Sequence, residues 1–548
     1  MVTVCRVVSF LLLVLLAARL PAQEDDKVVR VFVFAGQSNM VGSDSKVADV
    51  ERFPPFADAA KKLPQVRFRY VIGREQKHRS EGWVPLQPVD GVVGPELTFA
   101  REWQRHRKAP LAIVKVAAGG TSLGTDWNPD QPSGFQLYPL ALATVREALA
   151  DLDAKKVKWR LEGFCWHQGE NDMFDEAFRR DYGKNLANFI ACWRRDLKAP
   201  KLRFFVGELC TKTVWGMDHR VPMHGIELGQ RAVVAQDPLV HYVPTSHIAV
   251  EIGGDAGLHY HYGTLGQLEH GVNYAHAYLA ATGGFPRPAR PVPPWPYAAR
   301  STVDLYVLTG HRNMEGERAF VQDLAALPSG GMLAKSQEGI AFWCVTGGGV
   351  HRISLAALGQ SGLYDTFGPE VSFGRALTKG GHAPFTLAKF THSGAQIVDF
   401  TPTGSEAATR NLYPAWLEFV RASIAGIEQK GHTVRLAGIV YHLGENDMAW
   451  HPHRQQAALW LAEWIAASRR DLALPNLRWF VSQQAPPDHA DLKKIDVVAA
   501  VRKLAATDKN LVHIEVLQPP PQREALVFDA AGIVWLGEQL AAAVLKKK

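Results

Sequence analysis

Residues 29–40 read VRVFVFAGQSNM, an apolar run that ends at a glycine and passes directly into polar residues. A continuous apolar run of this length is typical of a strand buried on both faces of a parallel sheet. Similar runs follow at 111–117, 161–167 and 202–208. The amphipathic stretches are 97–107, 140–152, 178–197 and 265–280. This alternation of strands and helices predicts a three-layer α/β/α sandwich.

The same pattern occurs twice in the chain. Residues 303–314 read VDLYVLTGHRNM and repeat residues 29–40 at an offset of 274. GPELTFAR (94–101) returns 274 residues later as GPEVSFGR, and HQGENDM (167–173) returns 275 residues later as HLGENDM. An offset that stays nearly constant over so long a stretch indicates two tandem copies of one domain.

Composition places the boundaries of the two copies. Residues 1–22 hold one early positive charge, a short apolar run and small residues near Ala22, the layout of a secretory signal peptide. An N-terminal membrane anchor is the alternative, although the apolar run is short for one. Residues 284–300 are rich in proline and predict a stiff linker. We therefore expect a secreted or periplasmic protein with domains at 23–283 and 301–548.

Charge and composition exclude several classes of protein. The 548 residues are 47% hydrophobic and 21% charged, and the formal net charge is +7. Lysines and arginines are scattered and form no basic stripe with aromatic residues, so we expect no nucleic-acid partner. No apolar run after the signal peptide is long enough to span a bilayer, so we expect no membrane association after cleavage. The spacing of the five cysteines matches no metal site.

Three of the predicted strands in the first copy end in unusual motifs. These are GQSN (36–39), AGGTS (118–122) and HQGEND (167–172). In open α/β sheets, ligands bind beyond the carboxyl ends of the strands. We therefore expect the three motifs to meet at one edge of the sheet.

The residues of these motifs suit acyl transfer, which needs a nucleophile and donors for an oxyanion. Ser38 follows the first strand and can supply both a hydroxyl and a backbone N–H. Gly119 and Gly120 lack a Cβ, so a backbone N–H can approach a substrate closely. Gln168 offers a side-chain N–H donor. Taken singly, such a serine is more often a turn residue or helix cap, and such a Gly-Gly pair is more often a turn.

The base is expected late in the first copy. Asp255 and His259 lie in one loop before the final helix, where a carboxylate can hold the tautomer of a histidine base. His261 is a rival base. The sequence HYHY (259–262) can also be read as surface polar residues or a metal pair. QGEND (168–172) can be read as a cap of the following helix through Asn171 or Asp172.

GQSNM, AGGTS, WHQGEND and the late Asp…His loop together resemble the SGNH hydrolases. More narrowly, they are similar to the sialate O-acetylesterase and carbohydrate acetylesterase group, carbohydrate esterase family six and its relatives. The resemblance implies a flavodoxin-like α/β/α domain with a parallel sheet, and a serine mechanism that removes O-acetyl groups from sugars without a cofactor. We also expect no metal at the site. It implies Ser38 as nucleophile, His259 as base and Asp255 as the group that orients it. The implied oxyanion donors are the backbone N–H of Ser38, a glycine of the pair Gly119 and Gly120, and the side chain of Gln168.

One departure from the family pattern concerns the acid. The loop reads Asp255-Ala-Gly-Leu-His259, one residue longer than the usual Asp-x-x-His. Glu170 is therefore the alternative orienting group. His167, Asn171 and Trp127 are candidates for contact with the sugar or for a purely structural role.

The second copy has lost the residues that chemistry requires. Arg312 stands where the first copy has Ser38, and Leu443 stands where it has Gln168. Ser393 replaces Gly119, and no histidine aligns with His259. We expect a degenerate, inactive second domain that keeps the fold, and we expect the retained GPE and part of GEND to be structural.

The leading interpretation is a carbohydrate O-acetylesterase whose partner is an acetylated glycan. One alternative is a general SGNH esterase or lipase with another acyl specificity. A second alternative is a non-catalytic glycan-binding pseudoenzyme in which both copies are inactive.

Overall fold

A computed structural model of the protein describes most of the chain. The described residues are 27–209, 220–250, 261–283, 294–328, 330–359, 362–407, 410–443, 447, 451–484, 497–516, 518–523 and 527–546. The predicted signal peptide and the predicted Asp255 and His259 therefore lie outside the described residues. Within the described part of the chain, no helix is long and apolar enough to cross a membrane.

The first copy alternates strands and helices from its first residue onward. Its strands are β1 Val29–Gly36, β2 Leu63–Ile72, β3 His78–Arg79, β4 Val84–Leu86, β5 Leu111–Ala117, β6 Trp159–His167, β7 Arg203–Gly207 and β8 Val240–Val243. Its helices are α1 Ser38–Val41, α2 Glu96–His106, α3 Leu137–Ala154, α4 Glu176–Asp196, α5 Arg220–Gln236 and α6 Gly263–Ala281.

The second copy repeats this order of elements. Its strands are β9 Thr302–Gly310, β10 Gln337–Thr346, β11 His351–Leu358, β12 Phe385–Thr391, β13 Thr433–His442, β14 Trp479–Gln484 and β15 Leu511–Val516. Its helices are α7 Arg312–Glu315, α8 Val321–Ala325, α9 Gly330–Leu333, α10 Glu370–Lys379, α11 Tyr413–Glu428, α12 His451–Asp471, α13 Val497–Thr507 and α14 Ala530–Leu545.

Each copy forms its own mostly parallel sheet. The strand order is β3-β2-β5-β1-β6-β7-β8 in the first sheet, with β4 also paired to β2, and β11-β10-β12-β9-β13-β14-β15 in the second. Antiparallel pairing is confined to one edge, where β3 and β4 join β2 and where β11 joins β10. The predicted pair of α/β domains is confirmed. The four predicted strands correspond to β1, β5, β6 and β7, whereas β2, β8 and α5 were not predicted.

The central strand β1 is buried on both faces, as its continuous apolar sequence predicts. Val31 and Val33 pack into one cluster with side chains of α3 and α4. Phe32 and Phe34 point to the opposite face, into a cluster with side chains of α2 and α6. Because successive side chains of a strand alternate between faces, an unbroken apolar run is needed to fill both layers.

The end of the Pro-rich segment packs on the second copy. Trp295 and Tyr297 lie against the core beneath β9, and the Trp295 indole N–H donates to His432 Nε2. The Tyr297 hydroxyl donates to the carbonyl of Phe385. Residues 294–300 are therefore held against the second sheet by these contacts.

Candidate active site

The three motif-bearing strands are neighbours in the first sheet and end at the same level. In the pairing register, Gly36 at the end of β1 lies opposite Ala117 of β5 on one side and His167 of β6 on the other. The prediction that the three motifs meet at one edge is therefore confirmed.

A glycine is required where β1 passes into the turn that carries Ser38, the predicted nucleophile, which is called here the nucleophile turn. Gly36 has φ +149°, and a Cβ there would lie 1.9 Å from the carbonyl oxygen of His167. The next residue, Gln37, donates its N–H to that same oxygen at 3.0 Å. Ser38 then opens α1 and is 7% exposed. Its backbone N–H belongs to the first helical turn, whose N–H groups have no acceptor within the helix.

The glycine pair after β5 lies beside this serine. A Cβ built on Gly119 would lie 3.5 Å from the Cβ of Ser38. Arg74 fixes the orientation of the loop, because Nε donates to Gly119 O at 2.6 Å and Nη2 donates to Gly120 O at 3.2 Å. The ring of Phe135 covers this guanidinium at 5.4 Å. With both carbonyls directed at Arg74, the orientation of the peptide groups around Gly119 is set.

The side-chain amide of Gln168 donates hydrogen bonds within the protein. Its Nε2 donates to Thr121 O at 2.9 Å and to Asp172 Oδ2 at 2.5 Å, and the whole side chain is buried. A carboxamide nitrogen carries only two hydrogens. In this structure the N–H groups of Gln168 are directed to protein acceptors, and its role as an oxyanion donor stays a prediction. In this arrangement Gln168 supports the loop that follows Gly120.

Asp172 ties the same loop to the end of β6. Its carboxylate accepts hydrogen bonds from Leu123 N at 2.9 Å and Gly124 N at 3.0 Å. In the second copy, Asp447 accepts from Ile397 N at 3.1 Å through both oxygens. The two contacts occupy equivalent places in the repeat, so this acid holds the loop whether or not a nucleophile is present.

Burial raises the pKa of Asp172 from 3.8 to about 6, and this makes stability depend on pH. Between these values the folded protein keeps a proton that the unfolded chain has lost, so the free energy of unfolding falls as the pH rises. In the Asp172→Asn variant this side chain cannot ionise, so its free energy of unfolding does not fall in this way as the pH rises. We expect the free energy of unfolding of the variant, measured relative to that of the wild type, to rise by up to about 3 kcal/mol between pH 4 and pH 7. Chemical denaturation at each pH measures this, and a difference independent of pH would contradict it.

Glu170 belongs to a buried polar network behind the predicted nucleophile, Ser38. Its Oε1 accepts from Asn39 Nδ2 at 2.7 Å and lies 3.2 Å from His167 Nε2. Burial raises the pKa of Glu170, but its electrostatic interaction and hydrogen bond with His167 and the hydrogen bond from Asn39 outweigh burial and hold the pKa below its usual value. The other oxygen, Oε2, is buried and has no hydrogen-bond partner among the described residues.

Asn39 is a site residue that the sequence interpretation missed. Its Oδ1 accepts the backbone N–H of Tyr262, which ties the nucleophile turn to the start of the last helix at 3.1 Å. In the second copy, Asn313 accepts the N–H of Phe528 at 2.8 Å and donates to Gln484. The available signal was that asparagine persists in both GQSNM and GHRNM although the serine does not.

The three side chains that were candidates for contact with the sugar differ in burial. His167 and Trp127 are fully buried, and the Trp127 indole N–H donates to Thr121 Oγ1 at 3.0 Å. These two side chains are therefore core residues in the structure and do not present a surface to a sugar. Asn171 is half-buried at the sheet edge, where its backbone N–H donates to Gln37 Oε1 at 3.4 Å. It stays a candidate for contact with substrate.

The GPE motif supports the nucleophile turn through a buried ion pair. Lys115 of β5 donates to Glu96 Oε2 at 2.7 Å and to Val41 O, at the end of α1, at 3.1 Å. A Cβ on Gly94 would come within 2.3 Å of both Lys115 Nζ and Glu96 Oε2. The glycine of GPE is thus needed to make room for the pair.

The second copy builds the same pair without a nucleophile. Lys389 donates to Glu370 Oε2 at 3.0 Å and to Glu315 O at 3.1 Å. Gly368 again leaves no room for a Cβ, which would lie 2.4 Å from the lysine nitrogen. The GPE motif is therefore a structural element of both domains.

Arg312 does not replace the serine with a ligand-binding cation. Its side chain is buried, and Nη1 donates to Glu317 Oε1 at 3.1 Å. Leu443, at the position of Gln168, lies in the hydrophobic core. The second copy has thus replaced two polar site residues with an internal ion pair and an apolar side chain.

Comparison with known proteins places the chain in a family. Residues 28–280 and 302–546 each match the family model described as carbohydrate esterase, sialic acid-specific acetylesterase. No curated protein matches the chain.

Several solved structures are similar to parts of the chain. A protein from Arabidopsis thaliana is 20% identical with a TM-score of 0.36, over 46% of this chain and 98% of that one. A carbohydrate acetylesterase from Xanthomonas citri is 17% identical with a TM-score of 0.32, over 50% of this chain and 59% of that one. A carbohydrate esterase family 2 enzyme with a carbohydrate-binding domain from Myceliophthora fergusii is 14% identical with a TM-score of 0.27, over 48% and 69%.

The family model spans nearly the whole chain in two consecutive matches, in agreement with the internal repeat and the two sheets of equal strand order. The chain therefore belongs to the carbohydrate esterase, sialic acid-specific acetylesterase family, as a tandem repeat of its domain.

Proposed function

We propose that the protein is a serine esterase that removes O-acetyl groups from carbohydrates, and that only the first domain, 23–283, performs the chemistry. The observation that carries this proposal is the placement of Ser38 beside the Gly119 loop, with 3.5 Å between the serine Cβ and a Cβ built on that glycine. A nucleophile next to a backbone loop without side chains is what attack on an ester carbonyl requires.

In the proposed reaction, Ser38 Oγ attacks the acetyl carbonyl while His259 takes the hydroxyl proton. The oxyanion is held by the backbone N–H of Ser38 and by a backbone N–H of the Gly119–Gly120 loop, each donor lowering the barrier by about 3 kcal/mol. His259 then gives its proton to the departing sugar oxygen, which leaves acetyl-Ser38. A water molecule, deprotonated by His259, then attacks this ester. The bond to Ser38 Oγ breaks, Oγ takes the proton back from His259, and acetate leaves.

Two carboxylates remain proposed partners of the base. Asp255 is the residue that the family resemblance implies. The Oε2 of Glu170, which is buried and has no hydrogen-bond partner among the residues that the structure describes, supports that residue as the alternative. The Asn39 contact to Tyr262 supports both proposals, because it joins the nucleophile turn to the chain that continues from His259.

The family description and the predicted signal peptide support an exported enzyme that acts on acetylated glycans. The test is the release of acetate by the full-length protein from O-acetylated sialic acids, acetylated xylan and acetylated pectin. We expect release from at least one of them. Absence of release from every O-acetylated glycan, with hydrolysis of longer acyl esters, would favour the general esterase or lipase. No hydrolysis of any ester would favour the glycan-binding pseudoenzyme.

The second domain should not regain activity when its serine alone is restored. We expect the full-length Ser38→Ala/Arg312→Ser protein to hydrolyse p-nitrophenyl acetate no faster than Ser38→Ala. Leu443 replaces Gln168, and the hydroxyl of Ser393, at the position of Gly119, is directed at the carbonyl of His247. Turnover clearly above the Ser38→Ala background would contradict this expectation.

A further inference from the structure

The carboxyl edge of the second sheet is in contact with the polypeptide of the first domain. Ser393 stands where the first copy has Gly119, and its Oγ donates to the backbone carbonyl of His247 at 2.6 Å. Beside it, His392 Nε2 lies 3.3 Å from Ser246 Oγ. The edge that faces substrate in the first copy therefore faces another part of the same chain in the second.

The contacted stretch is Thr245–Val250, called here the 245–250 segment. It follows β8 and directly precedes residues 251–260, the stretch of sequence that includes the predicted base His259. All six residues of the segment are buried. Arg318 of the second domain donates to Val250 O at 3.3 Å. Tyr364 of the same domain places its hydroxyl 3.1 Å from His247 Nε2 and donates to Asn273 Oδ1 at 2.6 Å.

The first domain holds the opposite side of this segment. Glu208 Oε2 accepts from Thr245 N at 2.8 Å and from Ser246 N at 2.9 Å. Glu269 Oε2 accepts from Ala249 N at 2.7 Å. Side chains of the first domain thus bind three of the segment's N–H groups, and side chains of the second domain bind two of its carbonyls.

We propose that the second domain is a positioning domain: its former substrate edge holds the 245–250 segment and thereby fixes where the following base loop begins. Ser393 and Tyr364 are its positioning residues. Removal of one donor from a buried carbonyl loosens the segment, and small displacements of a catalytic group lower turnover steeply. The proposal rests on the proposed esterase function of the first domain.

The test uses the full-length protein with Ser393→Ala, the conservative Ser393→Thr and the independent Tyr364→Phe. We expect Ser393→Ala and Tyr364→Phe to lower kcat about tenfold or more with little change in KM, since the base and not the sugar site is displaced. Ser393→Thr keeps a hydroxyl and should retain most of the activity. Amide hydrogen exchange of residues 245–250 should become faster in Ser393→Ala.

A matched control is Ser423→Ala, because Ser423 is also a buried serine of the second domain and donates to the Phe419 carbonyl at 2.8 Å within its own helix. It should leave kcat unchanged. The proposal is overturned if Ser393→Ala keeps wild-type kcat, if Ser423→Ala lowers kcat equally, or if exchange of the segment is unchanged. A wild-type protein without esterase activity would instead overturn the proposed function, and exchange would still test the docking of the segment.

Discussion

Replacing Ser38 by alanine is expected to lower acetate release by at least about 10⁴-fold. The variant keeps the oxyanion donors and the sugar site but has no atom to form the acyl intermediate, so only the residual effect of binding and of those donors remains. The free energy of unfolding should change little, because the substitution removes one oxygen at the first position of α1. Initial rates on the best acetylated glycan, with a thermal melt of each protein, measure both effects.

The matched control for this variant is Ser43→Ala. Ser43 is half-buried and follows the same turn, and its backbone N–H donates to Ser38 O at 3.0 Å. Since the backbone bond survives the substitution, this protein should keep wild-type activity. Retention of more than about one hundredth of the activity by Ser38→Ala would remove this serine from the proposed mechanism.

The buried lysine beneath the nucleophile turn should produce the largest effect on stability. Lys115→Met leaves the carboxylate of Glu96 buried without its cation, and breaking such a pair costs about 3–5 kcal/mol of unfolding free energy. Lys115→Met/Glu96→Leu removes both charges and should recover most of this loss. Chemical denaturation of the two variants measures the difference.

The second copy supplies a matched comparison for this prediction. Lys389→Met breaks the equivalent pair with Glu370, whose side chains are as deeply buried. We expect a loss of stability of the same order. A single Lys115→Met protein within about 1 kcal/mol of the wild type would show that Glu96 finds another partner or takes up a proton.

The parts of the fold that the sequence predicts are those whose burial is complete. The strand β1 is apolar at nearly every position because both of its faces are covered, so its sequence is unambiguous. The strand β2 lies near the edge of the sheet and reads LPQVRFRYVI, with exposed and buried positions mixed. Partial exposure allows polar residues, and the apolar pattern that would predict a strand is then lost.

The candidate site was also only partly predictable from the sequence. The sequence indicates which motifs meet, since parallel strands bring their carboxyl ends together. The sequence does not show which acceptors a side-chain amide binds. Gln168 was therefore expected to face substrate, whereas its N–H groups donate to protein acceptors. Contacts such as that of Ser393 with the His247 carbonyl involve one hydroxyl and one backbone atom. They leave no periodic trace in either stretch of sequence.

The lysine–glutamate pair offers a way to sort related sequences. In both copies the lysine follows the glutamate of GPE by 19 residues, and a glycine stands where any side chain would collide with the pair. We expect that spacing to accompany the fold, and we expect serine in GQSN to mark the chains that cleave esters. A genome survey that scores the two signatures separately would distinguish working esterases from relatives that retain only the architecture.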